Sequence, residues 1–318
     1  MRVIGGIIAF FLLCLAAVAL LVVARSGRAG AQAYAPTLQQ GTLAVQGVPR
    51  TFDICLPGSF AAGKRYPIVV MLHGGALGSA SNVAMLTRLC DYTDRDQFIA
   101  VFPNAEGPQW NDGRSTTAWF GNDVAFLNAL VGHVVETYGG DRSRAFVAGI
   151  SNGGMMALRM LCESTGTFRA YAAVVANLPE ELAQRCRPSR PAPVLFILSR
   201  DDPAMPWAGG EIFHGHLGAG GRVLPGPDTV RFFADVNGCS GERVTQLPDR
   251  AHDGMSVQLH TFQCGSNPVV LYEIQGGGHG WPGSHVERGP MLTRLLGAVS
   301  QDIDATALAL DFFKRNGM

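Results

Sequence analysis

Charge is scarce in this sequence of 318 residues. Only 16% of the residues are Asp, Glu, Lys or Arg, and the 25 basic residues balance the 25 acidic ones. Without a basic run or a net charge, the chain has nothing to attract nucleic acid or an acidic surface. It also has no internal repeat, and its glycines are scattered among apolar segments. With 47% hydrophobic residues, these absences favour a globular domain of enzyme size with a sizeable core.

Motifs for metals and cofactors are lacking as well. No CxxC pair and no Cys/His cluster has the spacing of metal ligands. The stretch "GGGHGWPG" is rich in glycine, but it lacks the G-x-G-x-x-G spacing and the following helix of a phosphate-binding loop. His214 and His216, in "HGH", are interpreted as part of a surface loop. The sequence therefore predicts no metal and no cofactor.

One long hydrophobic run is present, at the N-terminus, from Val3 to Ala24. It is followed by the small residues "AQA" at 31–33, which are typical of a signal-peptidase site. The run is also long enough to cross a bilayer of about 30 Å as a helix. We expect residues 1–33 to be a cleaved signal peptide or an N-terminal membrane anchor. Either way, residues 34–318 would form a single domain outside the cytoplasm, secreted, extracellular or periplasmic, with no other contact with a membrane.

Export changes the interpretation of the cysteines, because disulfides form in oxidising compartments. Beyond Cys14, an even number remains: Cys55, Cys90, Cys162, Cys186, Cys239 and Cys264. Three disulfides joined in sequential order are the simplest pattern, although other connectivities are open. The alternative is that these residues are free, buried thiols.

The fold class follows from an alternation of strand-like and helix-like segments that begins near residue 43. "YPIVVMLH", "AFVAGI" and "PVLFILS" are continuous apolar runs typical of strands buried on both faces. "NDVAFLNALVGHVVETYG" carries apolar residues at helical spacing. The alternation predicts an α/β protein with a mostly parallel central sheet and helices on both faces. Such sheets bind their ligands at the carboxyl ends of the strands.

The strongest local signal is "AFVAGISNGGMMALRM", in which Ser151 occupies the centre of a G-x-S-x-G pattern. The pattern lies between a predicted strand and a predicted helix, as in a nucleophile elbow. It therefore predicts Ser151 as a catalytic nucleophile. The alternative is a tight strand-to-helix turn with a capping serine.

A nucleophilic serine needs a base and an acid that follow it in the chain. His279 lies in a glycine-rich loop directly after the strand-like "PVVLYEIQ" and is the predicted base, with His285 as its rival. The strand "PVLFILS" ends in Asp201 and Asp202, and because successive residues of an extended segment point to opposite sides, only one reaches His279. Pro203 biases Asp202 toward an extended conformation, so spacing favours Asp202 and leaves Asp201 open.

The oxyanion hole is assigned to backbone N–H groups beside this serine. "YPIVVMLHGG" ends a predicted strand in His73, Gly74 and Gly75, which matches the HGG-type loop that faces the nucleophile. We assign one donor to the N–H of Gly75 and the other to the N–H of Asn152. His73 is interpreted as an organiser of the loop and not as a second base.

These stretches resemble the esterase family that contains polyhydroxybutyrate depolymerases and feruloyl and acetylxylan esterases. The resemblance is carried by "LHGG", "VAGISNGGMMA", "DDPAMPWAGG" and "VVLYEIQGGGHGWPG". It implies the α/β-hydrolase fold and a Ser-His-Asp triad, and the family's Asp-Pro pair falls on Asp202-Pro203. Extracellular polymer depolymerases of this family carry a further substrate-binding domain, whereas here one helix follows the His279 loop. The expected substrates are therefore soluble.

Together these observations predict an exported serine carboxylic-ester hydrolase that acts on hydroxyalkanoate esters or oligomers. Feruloyl or acetylxylan esters are the alternative within the enzyme class. A non-catalytic binding protein of the same fold is the alternative outside it. Three tryptophans near the predicted site, Trp119, Trp207 and Trp281, are expected either to form an aromatic wall for the substrate or to pack as ordinary core and rim residues.

Overall fold

The computed structural model describes residues 38–75, 78–212 and 220–318, and these form one compact unit. The predicted signal or anchor segment 1–33 lies outside the described residues, as do His214 and His216. Within the described ranges, no helix has the length and hydropathy needed to cross a membrane.

The centre of the described chain is a sheet of ten strands, and two short strands form a separate pair. In chain order, the strands are β1 (Leu38–Val45), β2 (Val48–Cys55), β3 (Tyr66–Leu72), β4 (Ile99–Pro103), β5 (Gly140–Ile150), β6 (Ala170–Val174), β7 (Val194–Ser199), β8 (Gly210–Glu211), β9 (Arg222–Val223), β10 (Glu242–Gln246), β11 (Ser256–Phe262) and β12 (Val269–Gln275). The spatial order of the large sheet is β1-β2-β4-β3-β5-β6-β7-β12-β11-β10.

The middle of this sheet is parallel and its edges are antiparallel. The neighbours from β4 through β3, β5, β6 and β7 to β12 all pair in parallel. β1, β2, β10 and β11 pair antiparallel at the two edges. The predicted mostly parallel sheet is confirmed, and the carboxyl ends of the parallel strands lie along one edge of the sheet.

Helices cover both faces of the sheet, as predicted. In chain order, the described α-helices are α1 (Ala80–Thr87), α2 (Thr93–Asp96), α3 (Asp123–Tyr138), α4 (Asn152–Glu163), α5 (Glu180–Arg185), α6 (Gly226–Val236), α7 (Pro290–Leu296) and α8 (Ala305–Arg315). Along β3, Ile68 and Val70 belong to the same buried cluster as residues of α3 and α4. Val69 and Met71 belong to a second cluster with α1 and α8. β3 is thus sealed on both faces, which explains its continuous apolar sequence.

The six cysteines beyond the N-terminal segment are joined in sequential order. The three bonds are Cys55–Cys90, Cys162–Cys186 and Cys239–Cys264. They cross-link residues that are 35, 24 and 25 positions apart. On a chain-entropy account, closing loops of this size stabilises the fold by about 3 to 4 kcal/mol for each bond.

Candidate active site

Ser151 occupies a sharp turn between β5 and α4. Its φ of 56° and ψ of −124° are strained for a residue with a side chain. The turn is tight enough to require the flanking glycines: a Cβ on Gly149 would lie 2.3 Å from the carbonyl oxygen of Gly153, and one on Gly153 would lie 2.3 Å from the carbonyl oxygen of His73. The G-x-S-x-G spacing is therefore a requirement of backbone packing at this turn.

The structure brings the three predicted side chains together. The Oγ of Ser151 lies 2.8 Å from Nε2 of His279, and Nδ1 of His279 lies 2.7 Å from Oδ2 of Asp202. The other carboxylate oxygen, Oδ1, accepts the N–H groups of Ala204 and Met205, both at 2.8 Å. Because Asp202 is an acceptor on both oxygens, Nδ1 of His279 keeps its proton and donates it in a hydrogen bond to Asp202, which leaves Nε2 to accept a hydrogen bond from the Ser151 hydroxyl.

His279 is held by its backbone as well as by Asp202. Its N–H donates to the carbonyl of Leu296 at 2.6 Å, and the N–H of Gly278 donates to the carbonyl of Ala298 at 2.7 Å. The two backbone segments run so close together that a Cβ on Gly278 would lie 2.2 Å from the carbonyl oxygen of Leu296. The end of α7 and the segment after it therefore support the loop that carries His279. Their close approach explains why residue 278 is a glycine.

Asp201 has a different partner from its neighbour. Its Oδ2 accepts the N–H of Gly276 at 2.7 Å, so it ties the end of β7 to the loop that carries His279. Asp201 is exposed, whereas Asp202 is buried. The choice that spacing left open thus has a structural answer: Asp202 contacts the imidazole, and Asp201 fixes the neighbouring strand end. Two adjacent acids at a strand tip were the available signal for this second contact.

The loop after β3 runs beside the serine turn. A Cβ on Gly74 would lie 3.7 Å from the Cβ of Ser151, and one on Gly75 would lie 3.6 Å from the Cβ of Asn152. Asn152 is the first residue of α4, where backbone N–H groups are unpaired and the helix dipole is positive. Gly75 therefore lies against Asn152, the residue that follows the serine, at a position suited to negative charge.

His73 organises this loop through both ring nitrogens. Nε2 accepts the N–H of Ala105 at 3.1 Å, and Nδ1 donates to the carbonyl of Gly74 at 2.6 Å. Burial lowers the pKa of His73, and this effect exceeds the opposing one of the hydrogen bond to Gly74. A neutral imidazole with both nitrogens occupied is not available as a second base.

The other described histidines that follow Ser151 in the chain are not part of this hydrogen-bonded group. His285 is exposed and borders a cavity of about 210 Å³ that lies behind the imidazole loop. His252 is 3.5 Å from a carboxylate oxygen of Asp249. His260, on β11, is 2.6 Å from a carboxylate oxygen of Glu242. No group of three His, Cys, Asp or Glu side chains in the described part of the chain is arranged to hold a metal ion.

The three tryptophans do not form one wall. Trp281 is only 1% exposed, and its Nε1 donates to the hydroxyl of Thr306 at 3.0 Å. It is therefore a core residue, and of the two expectations for this tryptophan the substrate wall is wrong. Trp119 is 75% exposed and packs against Phe120. Trp207 is half-buried under the guanidinium of Arg200, in an open depression that Asp201 and Asp202 also line.

Sequence reasoning missed a buried polar cluster that lies against the serine turn. The side chain of Asn152 accepts the N–H of Trp110 at 2.7 Å and donates to the carbonyl of Trp110 at 3.0 Å. It also donates to Asp112 at 2.5 Å, and Asp112 forms an ion pair with Arg114 at 2.6 Å. The stretch "WNDGR" was the available signal, because it places two charged residues beside a large apolar one.

Comparisons with known proteins find similarity to esterases. A family model described as "Esterase PHB depolymerase" matches residues 51–178. NocK of Nocardia uniformis subsp. tsuyamanensis, an esterase by its name, is 29% identical over 80% of this chain and 76% of its own length. Feruloyl esterase B of Piromyces equi is 27% identical over 72% of this chain, which spans only 42% of that protein.

Among solved structures, the acetyl xylan esterase from Aspergillus awamori matches with a TM-score of 0.55 at 15% identity, over 81% of this chain and 98% of its own. At this identity, the match supports the α/β-hydrolase fold alone. The family model and the sequence relatives support the activity of an esterase. The chain is a carboxylic ester hydrolase with the α/β-hydrolase fold, and it is similar to polyhydroxybutyrate depolymerases and feruloyl esterases.

Proposed function

We propose that this chain is an exported serine esterase in which Ser151, His279 and Asp202 form the catalytic triad. The observation that carries the proposal is the continuous pair of hydrogen bonds from Asp202 through His279 to Ser151, at 2.7 and 2.8 Å. His279 takes the hydroxyl proton as Ser151 attacks the ester carbonyl, and Asp202 stabilises the resulting imidazolium. The proton then passes from His279 to the leaving alcohol.

The negative charge of the tetrahedral intermediate develops on the carbonyl oxygen, beside Gly75 and Asn152. We assign the two stabilising hydrogen bonds to the backbone N–H groups of these residues. Each such donor is worth about 3 kcal/mol in acyl-transfer enzymes. The positive end of α4 adds to the same field. Water, deprotonated by His279, then attacks the acyl-enzyme. The bond to Ser151 Oγ breaks, His279 returns the proton to that oxygen, and the acid is released, so the cycle needs no cofactor.

The proposed substrates are soluble hydroxyalkanoate esters and oligomers. The polyhydroxybutyrate depolymerase description of the matching family model supports this choice. Feruloyl esters are the second candidate, because Feruloyl esterase B is among the relatives, and acetylated xylan is a third. Of the three tryptophans proposed for substrate contact, Trp119 and Trp207 are exposed enough for it, whereas Trp281 is buried.

The proposed location is outside the cytoplasm. Three disulfides support it, since such bonds persist mainly in oxidising compartments. The hydrophobic run of residues 1–33 would direct this export as a signal peptide or as an anchor. An anchor would be the chain's contact with the membrane.

The central test is Ser151→Ala, assayed with p-nitrophenyl butyrate and with a fluorophosphonate probe. We expect kcat to fall by at least about 10⁴-fold, because the nucleophile is lost, and we expect labelling to disappear. The matched control is Ser143→Ala, which removes an exposed hydroxyl bonded to Asp141 and should change neither readout.

Activity that survives in Ser151→Ala would refute the triad, and a wild-type chain without activity or labelling would favour the non-catalytic alternative. The substrate class is tested separately, by comparing kcat/KM for 3-hydroxybutyrate oligomers, methyl ferulate and acetylated xylan. The proposal fails on substrate if methyl ferulate or acetylated xylan is preferred.

A further inference from the structure

A fully buried ion pair lies behind the proposed oxyanion hole. The side chains of Asp112 and Arg114 are 0% and 1% exposed. Arg114 donates to Asp112 from Nε at 2.9 Å and from Nη2 at 2.6 Å, and the hydroxyl of Thr117 donates to the same carboxylate at 3.0 Å. Burying two charges is expensive, and apolar residues of similar volume often serve stability equally well. The pair therefore calls for an explanation beyond packing.

Asp112 is directed at the residue that follows the nucleophile. Its Oδ2 accepts a hydrogen bond from Nδ2 of Asn152 at 2.5 Å. The second proton of Nδ2 and the amide oxygen of Asn152 are both occupied by the backbone of Trp110. Both protons of the Asn152 amide are thus donated in hydrogen bonds, and its oxygen accepts a third. Together these three bonds fix the position of Asn152. The N–H on that same residue is the donor assigned to the oxyanion.

Arg114 reaches the other side of the hole. Its Nη2 donates to Oε1 of Gln109 at 3.1 Å. The Cγ and Cδ atoms of Gln109 lie 3.1 and 3.3 Å from the position of a Cβ on Gly75, so this side chain packs directly over the second donor residue. The same guanidinium also donates from Nη1 to the carbonyl of Gly220. The ion pair therefore contacts both donor residues: Asp112 bonds to Asn152 directly, and Arg114 reaches Gly75 through Gln109.

We propose that Asp112 is a positioning residue of the oxyanion hole, which acts through the side-chain amide of Asn152, with Arg114 as its counterion and as the support of Gln109 against Gly75. The proposal rests on the proposed serine mechanism. An oxyanion donor is effective only when it is held in place before charge develops, because reorientation during the reaction costs free energy. Loosening Asn152 therefore weakens transition-state binding more than substrate binding, and it lowers kcat with little change in KM.

The test is a double-mutant cycle between Asp112→Asn and Asn152→Ala, assayed with p-nitrophenyl butyrate. Asp112→Asn keeps the shape but loses the charge, and Asn152→Ala keeps the backbone N–H but loses its anchor. We expect each variant to lower kcat by about 10- to 50-fold, which is less than the loss of a whole donor, with KM within threefold. Affinity for a boronic acid that forms a tetrahedral adduct should fall in parallel. The double variant should lose no more than either single one.

Thr117→Val is the matched control, since it removes another hydrogen bond to the Asp112 carboxylate without touching Asn152, and its kcat should stay within twofold of wild type. If Asp112→Asn does not fold, Asp112→Leu combined with Arg114→Met removes the pair without leaving a lone buried charge, and it should show the same fall in kcat. Thermal unfolding monitors the folded fraction throughout.

Two results would overturn the proposal: losses in the cycle that multiply, or a normal kcat in folded Asp112 variants. Ser151→Ala, measured in the same series, separates the two levels of inference. If it stays active, the serine mechanism itself is wrong, and positioning of the hole fails with it. If it is inactive while Asp112→Asn keeps a normal kcat, only the role of Asp112 is wrong.

Discussion

The parallel middle of the sheet and its antiparallel edges serve different purposes. β3, β4, β6 and β7 are buried along their whole length, whereas all five residues of β10 are exposed and β1 alternates between half-buried and exposed. Every member of the proposed site follows β3, β5, β7 or β12, all of which are parallel strands. β3 and β7 are buried throughout, and β5 is buried from Ala145 to Ile150, so the strand ends that carry the site are held firmly, as a catalytic geometry needs. Edge strands only terminate the sheet, and polar side chains there discourage further pairing.

The largest expected effect is a difference in kcat between variants of the two acids at the end of β7. Asp202→Asn should lower kcat by about 10⁴-fold, because an amide at this position favours the wrong imidazole tautomer. Asp201→Asn should cost tenfold or less, because Asn keeps an oxygen that can accept the N–H of Gly276. Steady-state kinetics on p-nitrophenyl butyrate measures both. The reverse ranking would mean that the assignment is wrong by one residue.

A smaller but still large effect concerns how closely the central elements approach each other. A Cβ on Gly153 would lie 2.3 and 2.5 Å from the carbonyl oxygens of His73 and Leu72. Gly153→Ala must push α4 away from the end of β3, so it should lower the free energy of unfolding by about 3 kcal/mol. Chemical denaturation followed by circular dichroism measures this.

Gly132, in α3, supplies the matched comparison for that substitution. A Cβ there would meet only the far end of the Arg142 side chain, at 3.0 Å. Gly132→Ala should therefore stabilise the protein by about 0.5 to 1 kcal/mol, since alanine is the better helix former. If Gly153→Ala and Gly132→Ala changed the free energy of unfolding in the same direction, close backbone approach would not be the reason for the glycine at 153.

The smallest expected effects compare one substitution in the two kinds of strand. Val70→Thr, in the buried β3, places a hydroxyl where water is excluded and should cost about 1 to 3 kcal/mol. Val244 in β10 is 51% exposed, so Val244→Thr should change the free energy of unfolding by less than about 0.5 kcal/mol and leave kcat unchanged. Equal costs at the two positions would contradict the division between a sealed middle and tolerant edges.

The site was predictable where its signals are local. The serine turn, the histidine loop and the acid each follow an apolar strand, and the parallel sheet then brings those ends together. The role of Asp201 was not predictable, because it depends on the pairing of β7 with β12, which sets Ser199 opposite Ile274. Asp112 was missed because it meets Asn152 across 40 positions of sequence. The burial of Trp281 depends on α8, whose packing the local pattern does not reveal.

The sequential pairing of the cysteines has a consequence for how the protein matures. Beyond Cys14, a chain that emerges N-terminus first presents Cys55, and the next cysteine to follow it, Cys90, is its native partner. The same holds for the second and third bonds. A thiol that is oxidised with the next one to appear therefore makes the native bond each time. Maturation needs an oxidant but no reshuffling step, so the enzyme should fold with native bonds in hosts that lack a disulfide isomerase.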